Sequence, residues 1–125
     1  MKSNPNRNRT QLLVAAAVAL ASCSAAAVDR TWSGATASYT NAANWTGGVV
    51  PGPADVAINN NGSNNAVQIN AGNPDWSVGA IQAGAAGSGA FQQNGQTVTI
   101  PPGVRTLRLG TSPAATGVYT LNDGT

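Results

Sequence analysis

Apolar residues recur two apart in short runs along the chain: Val56 and Ile58, Val67 and Ile69, Val98 and Ile100, Leu107 and Leu109, Tyr119 and Leu121. Residues two apart share one face of a β-strand, so each pair is expected to point into a core, while Gln68, Thr99, Arg108 and Thr120 face the other way. Turn formers separate the runs: Pro51-Gly52-Pro53, the asparagine-rich stretch 59–65, Asn94-Gly95, Pro101-Pro102-Gly103 and Asn122-Asp123-Gly124. The asparagine stretch reads as a solvated loop. Arg105 has the parity of Leu107 and Leu109, and since a charge belongs outside, that strand is expected to begin after it. After Val28 no segment places apolar residues at helical spacing, and the abundant Gly, Asn, Thr and Ser disfavour a helix interior. The pattern predicts an all-β fold of short strands. Its regular apolar pairs and low charge argue against disorder.

A weak internal repeat organises these strands. Ile81-Gln82-Ala83-Gly84 followed by Gly89-Ala90-Phe91-Gln92-Gln93-Asn94-Gly95 corresponds to Leu107-Arg108-Leu109-Gly110 followed by Gly117-Val118-Tyr119-Thr120-Leu121-Asn122-Asp123-Gly124, at offsets that drift from 26 through 28 to 29. A period in the twenties with two or three short strands per unit fits a parallel β-solenoid, one coil per repeat. Such a coil cannot bury its apolar face alone, needs about three stacked units, and usually ends in an atypical cap. The second copy stops at Asp123-Gly124-Thr125, so the chain is expected to be the N-terminal piece of a longer solenoid whose downstream coils are its partner.

The first residues carry an address. Lys2, Arg7 and Arg9 precede the apolar run Leu12-Leu13-Val14-Ala15-Ala16-Ala17-Val18-Ala19-Leu20-Ala21, and small residues follow to Ala27. This order is that of a bacterial-type secretory signal, expected as a helix over 1–27. The interruption at Ser22, Cys23 and Ser24 weakens an uncleaved anchor, which wants about 20 mostly apolar residues. Two cleavage sites compete. Ala25-Ala26-Ala27 suits a general signal peptidase and starts the mature chain at Val28, whereas Leu20-Ala21-Ser22-Cys23 resembles a lipobox and makes Cys23 a candidate lipidation site. Only lipidation of Cys23 implies contact with a membrane. The organisation expected is a signal peptide over 1–27, a cap region over 28–58 and solenoid coils over 59–125.

Charge, split at that boundary, removes several functions. The whole chain carries +2, but residues 28–125 hold Arg30, Arg105 and Arg108 against Asp29, Asp55, Asp75 and Asp123, a balance of −1 with no Lys. Nucleic-acid binding, which needs clustered cations, is not expected. The same 98 residues lack His, Glu, Cys and Met, and with them most acid-base, thiol and soft-metal chemistry. Nothing in the spacing pairs two carboxylates as glycoside hydrolysis requires, and the tandem glycine-aspartate pattern of calcium-loaded β-rolls does not occur. Asp123 reads as a turn residue, and Asp55 is expected to accept nearby backbone N–H groups. No enzyme activity, metal or cofactor is therefore expected. Asn44-Trp45-Thr46 and Asn61-Gly62-Ser63 match the glycosylation sequon but read as turn composition. Trp32 and Trp45 have two readings: a hydrophobic cap on the first coil, or a platform on which a glycan stacks.

Thr31-Trp32-Ser33-Gly34, Tyr39, Asn41-Ala42-Ala43-Asn44-Trp45, Gly47-Gly48, Pro51 and Asp55-Val56-Ala57-Ile58 together resemble the N-terminal pattern of large secreted bacterial β-helix proteins with autotransporter-type β-strand repeats. The repeat at 107–124 is similar to the repeat unit of that group. The resemblance spans about 31–125 and implies a right-handed parallel β-helix, export, and a place on or outside the cell surface. The function it implies is a non-catalytic, adhesin-like scaffold. The alternative is a carbohydrate-binding module, or the N-terminal part of a polysaccharide-processing enzyme, with an extracellular glycan as partner.

Overall fold

The computed structural model describes residues 26–102 and 106–125. The expected signal segment up to residue 25, with Cys23, and Arg105 lie outside the described residues.

Ten strands follow one another with little else between them: β1 (Asp29–Trp32), β2 (Ala37–Ser38), β3 (Val56–Asn59), β4 (Gly62–Asn70), β5 (Trp76–Ser77), β6 (Ala80–Ala83), β7 (Gly89–Asn94), β8 (Val98–Thr99), β9 (Leu107–Leu109) and β10 (Gly117–Asp123). Two short 3-10 turns, Ala42–Asn44 and Thr46–Gly48, lie between β2 and β3. Strands adjacent in sequence do not pair. Instead β1, β3, β6 and β9 form one parallel sheet, β2, β4, β7 and β10 a second, and β5 and β8 a third. This is a β-solenoid of about three turns, in which each coil contributes a strand to each face it crosses. The second coil begins at Val56, so β3 runs across the 58/59 boundary expected between cap and coils.

The register explains the drifting repeat. Ala83 pairs with Leu109 and Phe91 with Tyr119, offsets of 26 and 28, and the irregularity between Leu121 and Asp123 brings Asn94 opposite Asp123 at 29. One extra residue in the last strand is a bulge.

Stacked columns fill the interior. Val67, Phe91 and Tyr119 form one, Ile69, Gln93 and Leu121 another, and on the first sheet Ala57, Ile81 and Leu107 stand beside Asn59, Ala83 and Leu109. Aromatic rings extend the first column: Tyr39 stacks on Trp76 with centroids 4.6 Å apart, and Trp76, Phe91 and Tyr119 follow at 6.4 Å steps. Burial of each large apolar side chain contributes about 1.5–3 kcal/mol. Among the described residues a single ion pair, Arg30–Asp55, links coils, and this column adds its burial to the strand pairing.

Two expectations need correction. Val56 and Ile58 do not point into the main core; Ala57 does, and Val56, Ile58 and Ala80 form a separate cluster on the outer side of the first sheet. Val56-Ala57-Ile58 is apolar at both parities, so alternation alone leaves the phase open. Asn59 sets it. The asparagine stretch is likewise not a solvated loop: Asn59 is fully buried, β4 starts at Gly62, and the run ties three coils together. Asn59 Nδ2 donates to Asn65 O and Ala90 O, both at 2.8 Å, and Asn59 Oδ1 accepts from Asn61 N at 2.9 Å. A buried amide whose groups are all paired is stable; turned outward, it would leave those backbone groups unmet.

The corner between the first two sheets demands glycine. A Cβ on Gly84 would stand 2.6 Å from Thr116 O of the next coil, and one on Gly89 would collide with the Asn59 carbonyl. The backbones of successive coils pass through the space those side chains would need.

Candidate functional site

The first coil is closed off by the residues that follow β2. Trp32 and Trp45 meet through an isolated antiparallel bridge, with ring centroids 4.9 Å apart in an edge-to-face contact. Ser33 N donates to Asn44 O at 2.8 Å and Thr31 N to Thr46 Oγ1 at 2.9 Å, so these two outward donors at the edge of β1 are occupied. The two indoles are 1% and 2% exposed, which leaves neither ring face open to a sugar. Trp45 Nε1 donates to Tyr39 O at 2.8 Å and Trp76 Nε1 to Pro51 O at 2.9 Å. Among the described residues Trp32 Nε1 finds no acceptor.

An ion pair that the sequence did not signal sits beside this cap. Arg30 has the inward parity of Trp32, its Nη1 donates to Thr46 O at 3.3 Å, and its Nε lies 3.9 Å from Asp55 Oδ2. Asp55 also accepts from Gly52 N at 2.9 Å and Val28 N at 3.3 Å, as expected of a carboxylate that organises a turn. The other carboxylates are spread along the solenoid. Asp75 accepts from Thr97 N at 2.9 Å and Asp123 from Gly124 N at 2.8 Å. Among the described residues no three His, Cys, Asp or Glu side chains gather where a metal could be held.

On the outer face of the first sheet lies a cleft of about 510 Å³, lined by Asp29, Val56, Ala80, Gln82, Thr106 and Arg108. Its one carboxylate and one guanidinium stand on β1 and β9, three ladder steps apart. At ~4.8 Å per step that is ~14 Å, too far for two groups to act on one bond as a glycosidase pair does across about 5–9.5 Å. The cleft can hold a small molecule against an apolar floor, but it contains no acid-base pair.

At the opposite end no coil lies over β9 and β10 among the described residues. Leu107, Leu109 and Leu121 are 44%, 46% and 58% exposed although they continue inward columns, and the outer edges of β9 and β10 carry no partner strand among the described residues. Two polar groups mark this end. Gln93, almost wholly buried, donates from Nε2 to Gln96 O at 2.7 Å and to Thr125 O at 3.0 Å, and its Oε1 accepts from Tyr119 Oη at 2.6 Å. Burial pushes the Tyr119 hydroxyl above its ordinary pKa; burial, and secondarily the Asp75 carboxylate, does the same to Tyr39. On the outer surface an amide ladder runs up the coils: Asn94 Nδ2 donates to Asn70 Oδ1 at 2.9 Å and Asn122 Nδ2 to Asn94 Oδ1 at 2.7 Å, with Gln68 Nε2 donating to Gln92 Oε1 beside them.

The structure thus brings Trp32 and Trp45 together and disperses Asp55, Asp75 and Asp123. Arg30, Asn59 and Gln93 escaped the sequence reading because a lone Arg, an Asn in a turn-like run and a Gln in a polar strand look like surface residues. The only hint for Gln93 was its place in the repeat, aligned with Leu121. No protein family matches the chain, and no curated protein or solved structure matches it either.

Proposed function

We propose that the chain is a non-catalytic scaffold, an exported β-solenoid segment of the adhesin-like kind displayed on or outside a bacterial surface. The observation that carries this reading is the end-to-end stacking: aromatic, amide and aliphatic columns run through successive coils, and Asp55, Asp75 and Asp123 accept backbone N–H groups. These polar side chains join coil to coil or shape the turns between strands. Export rests on the order of basic, apolar and small residues before Val28, and attachment to a membrane on Cys23.

Against the glycan-binding alternative stands the packing of Trp32 and Trp45 on each other; the outer cleft lined by Asp29 and Arg108 is a place where a glycan could be tested. A glycan array probed with residues 28–125 separates the two. No binding is expected; binding that Arg108→Ala abolishes without lowering the unfolding midpoint would replace the scaffold reading. Export is tested by mass spectrometry of the protein recovered outside the cytoplasm, together with fatty-acid labelling of the full chain and of Cys23→Ala. A protein retained in the cytoplasm with an intact N-terminus would overturn it.

A further inference from the structure

Two steps of the chain join an asparagine to a glycine, Asn61–Gly62 and Asn94–Gly95. In such a step the backbone nitrogen after the asparagine can close a five-membered ring on the side-chain amide, because glycine has no Cβ to hinder the approach. In sequence the two steps are equivalent; in the structure they are not. Gly62 N donates to Ser88 O at 2.7 Å and Asn61 Nδ2 to Gly34 O at 2.8 Å, so the two reacting groups of the first step are held by different coils. At the second step Gly95 N donates to no acceptor among the described residues. The backbone leaves the ladder there: β7 ends at Asn94, Gly95 has φ 148°, and Gln96 at φ 65° is the one non-glycine residue with positive φ among the described residues.

Packing keeps glycine at this place. A Cβ on Gly95 would stand 3.1 Å from Ala71 Cα of the preceding coil, tighter than ordinary contact. The residue before it is the middle rung of the outer amide ladder, half-buried, with Oδ1 accepting from Asn122 Nδ2 at 2.7 Å and Nδ2 donating to Asn70 Oδ1 at 2.9 Å. The bond to Oδ1 draws electron density from Cγ, the atom to be attacked. The bond from Nδ2 opens when the strand end frays, and at that moment the second step has a free nucleophile where the first does not.

We propose that Asn94–Gly95 is a site of spontaneous modification, at which water and the chain's own backbone convert the middle rung of the ladder to aspartate and isoaspartate. Hydroxide removes the Gly95 N–H proton, the nitrogen bonds to Asn94 Cγ, and the Cγ–Nδ2 bond breaks, Nδ2 leaving as ammonia with a proton taken from water. Water then opens the cyclic imide. Addition at Cγ gives aspartate; addition at the backbone carbonyl carbon gives isoaspartate, in which the chain runs on through the side chain, and in both cases the Gly95 nitrogen recovers its proton. Nothing is oxidised or reduced. The new carboxylate still accepts from Asn122 but faces Asn70 Oδ1, acceptor against acceptor, so the rung between β4 and β7 is lost. The step runs one way and makes a slow clock on the contact between these two coils, whatever the solenoid's function.

The test needs no variant. The full chain is aged in mildly alkaline buffer, folded or in urea, and modification at each asparagine is read by peptide mass after digestion, with fragmentation that distinguishes isoaspartate. Expected are modification at Asn94 about tenfold faster than at Asn61 in the folded chain, and matching rates at the two in urea, where local structure no longer separates them. Equal rates in the folded chain, a faster Asn61, or an Asn94 modified only in urea would overturn the proposal. The aged fraction, separated by its added negative charge, is expected to unfold at a lower denaturant midpoint than the fresh chain, and an unchanged midpoint would overturn the clock. As a second measurement, Asn94→Gln keeps an amide but enlarges the ring to six members, so the charge gain is expected to slow about tenfold; gain at the original rate would place the reaction at another residue.

Discussion

Asn59 shows how much a single buried amide controls here. Its side chain meets two carbonyls and one N–H in three parts of the chain, and no apolar residue can replace those bonds. Leaving buried backbone groups unpaired costs about 1–3 kcal/mol each, so Asn59→Ala is expected to lower stability by about 3 kcal/mol in urea unfolding. A loss below about 1 kcal/mol would mean that the corner re-forms without it. The indoles offer a sharper contrast. Trp45→Phe loses a bond to Tyr39 O, whereas Trp32→Phe removes an N–H that has no acceptor among the described residues, so the first should destabilise more than the second. Equal losses would contradict the assignment. Gln96 holds φ at 65°, in the left-handed region, and its side chain has no bond that requires it there. Gln96→Gly is expected to gain about 0.5–1 kcal/mol by relieving that conformation. The raised tyrosines set an alkaline limit. Below pH ~10 both hydroxyls are neutral whether the chain is folded or not; above it the unfolded chain ionises first, so stability falls as pH rises toward the folded-state values. Melting between pH 8 and 11 should therefore show a fall that is shallower in the Tyr39→Phe, Tyr119→Phe double variant, and an unchanged slope would remove the tyrosines from the cause.

Among the elements, β7 is the keystone, since it pairs with β4 on one side and β10 on the other and holds the central rung of the aromatic column, the glutamine pair and the asparagine ladder. Asn94→Asp keeps an acceptor for Asn122 but loses the donor to Asn70, and a loss of about 1 kcal/mol is expected, read from the denaturant midpoint against Asn122→Asp, which breaks one bond at the exposed end. The strands of this sheet were legible because polar residues interrupt their apolar ones: Val67-Gln68-Ile69 and Tyr119-Thr120-Leu121 each have one possible phase, and the structure adopts it. β3 was not legible in phase because Val56-Ala57-Ile58 offers no polar residue to break the tie. Parallel pairing was legible only through the repeat. Of its drift from 26 to 29 residues, the step from 26 to 28 lies in the longer connection between β9 and β10 than between β6 and β7, and the last residue in a bulge near Asn122, a feature of backbone geometry that composition does not encode.

The whole molecule is quasi-one-dimensional, so its stability should vary along the axis rather than be shared evenly. Its candidate sites were half-legible for the same reason. The tryptophans at the closed end stand out in composition, while the open end is defined by which residues lack a neighbour, and a sequence shows neighbours only through its repeat. Among the described residues the two terminal coils differ: at the edge of β1 the N–H groups of Thr31 and Ser33 meet Thr46 and Asn44, and no strand pairs with the outer edges of β9 and β10. Amide hydrogen exchange resolved by strand on the full chain tests this polarity most directly. The expected order is slowest exchange in β4 and β7, intermediate in β1 and β3 under the cap, and fastest in β9 and β10, by orders of magnitude. Protection in β10 equal to that in β7 would contradict a stability that varies along the axis with the packing of each coil.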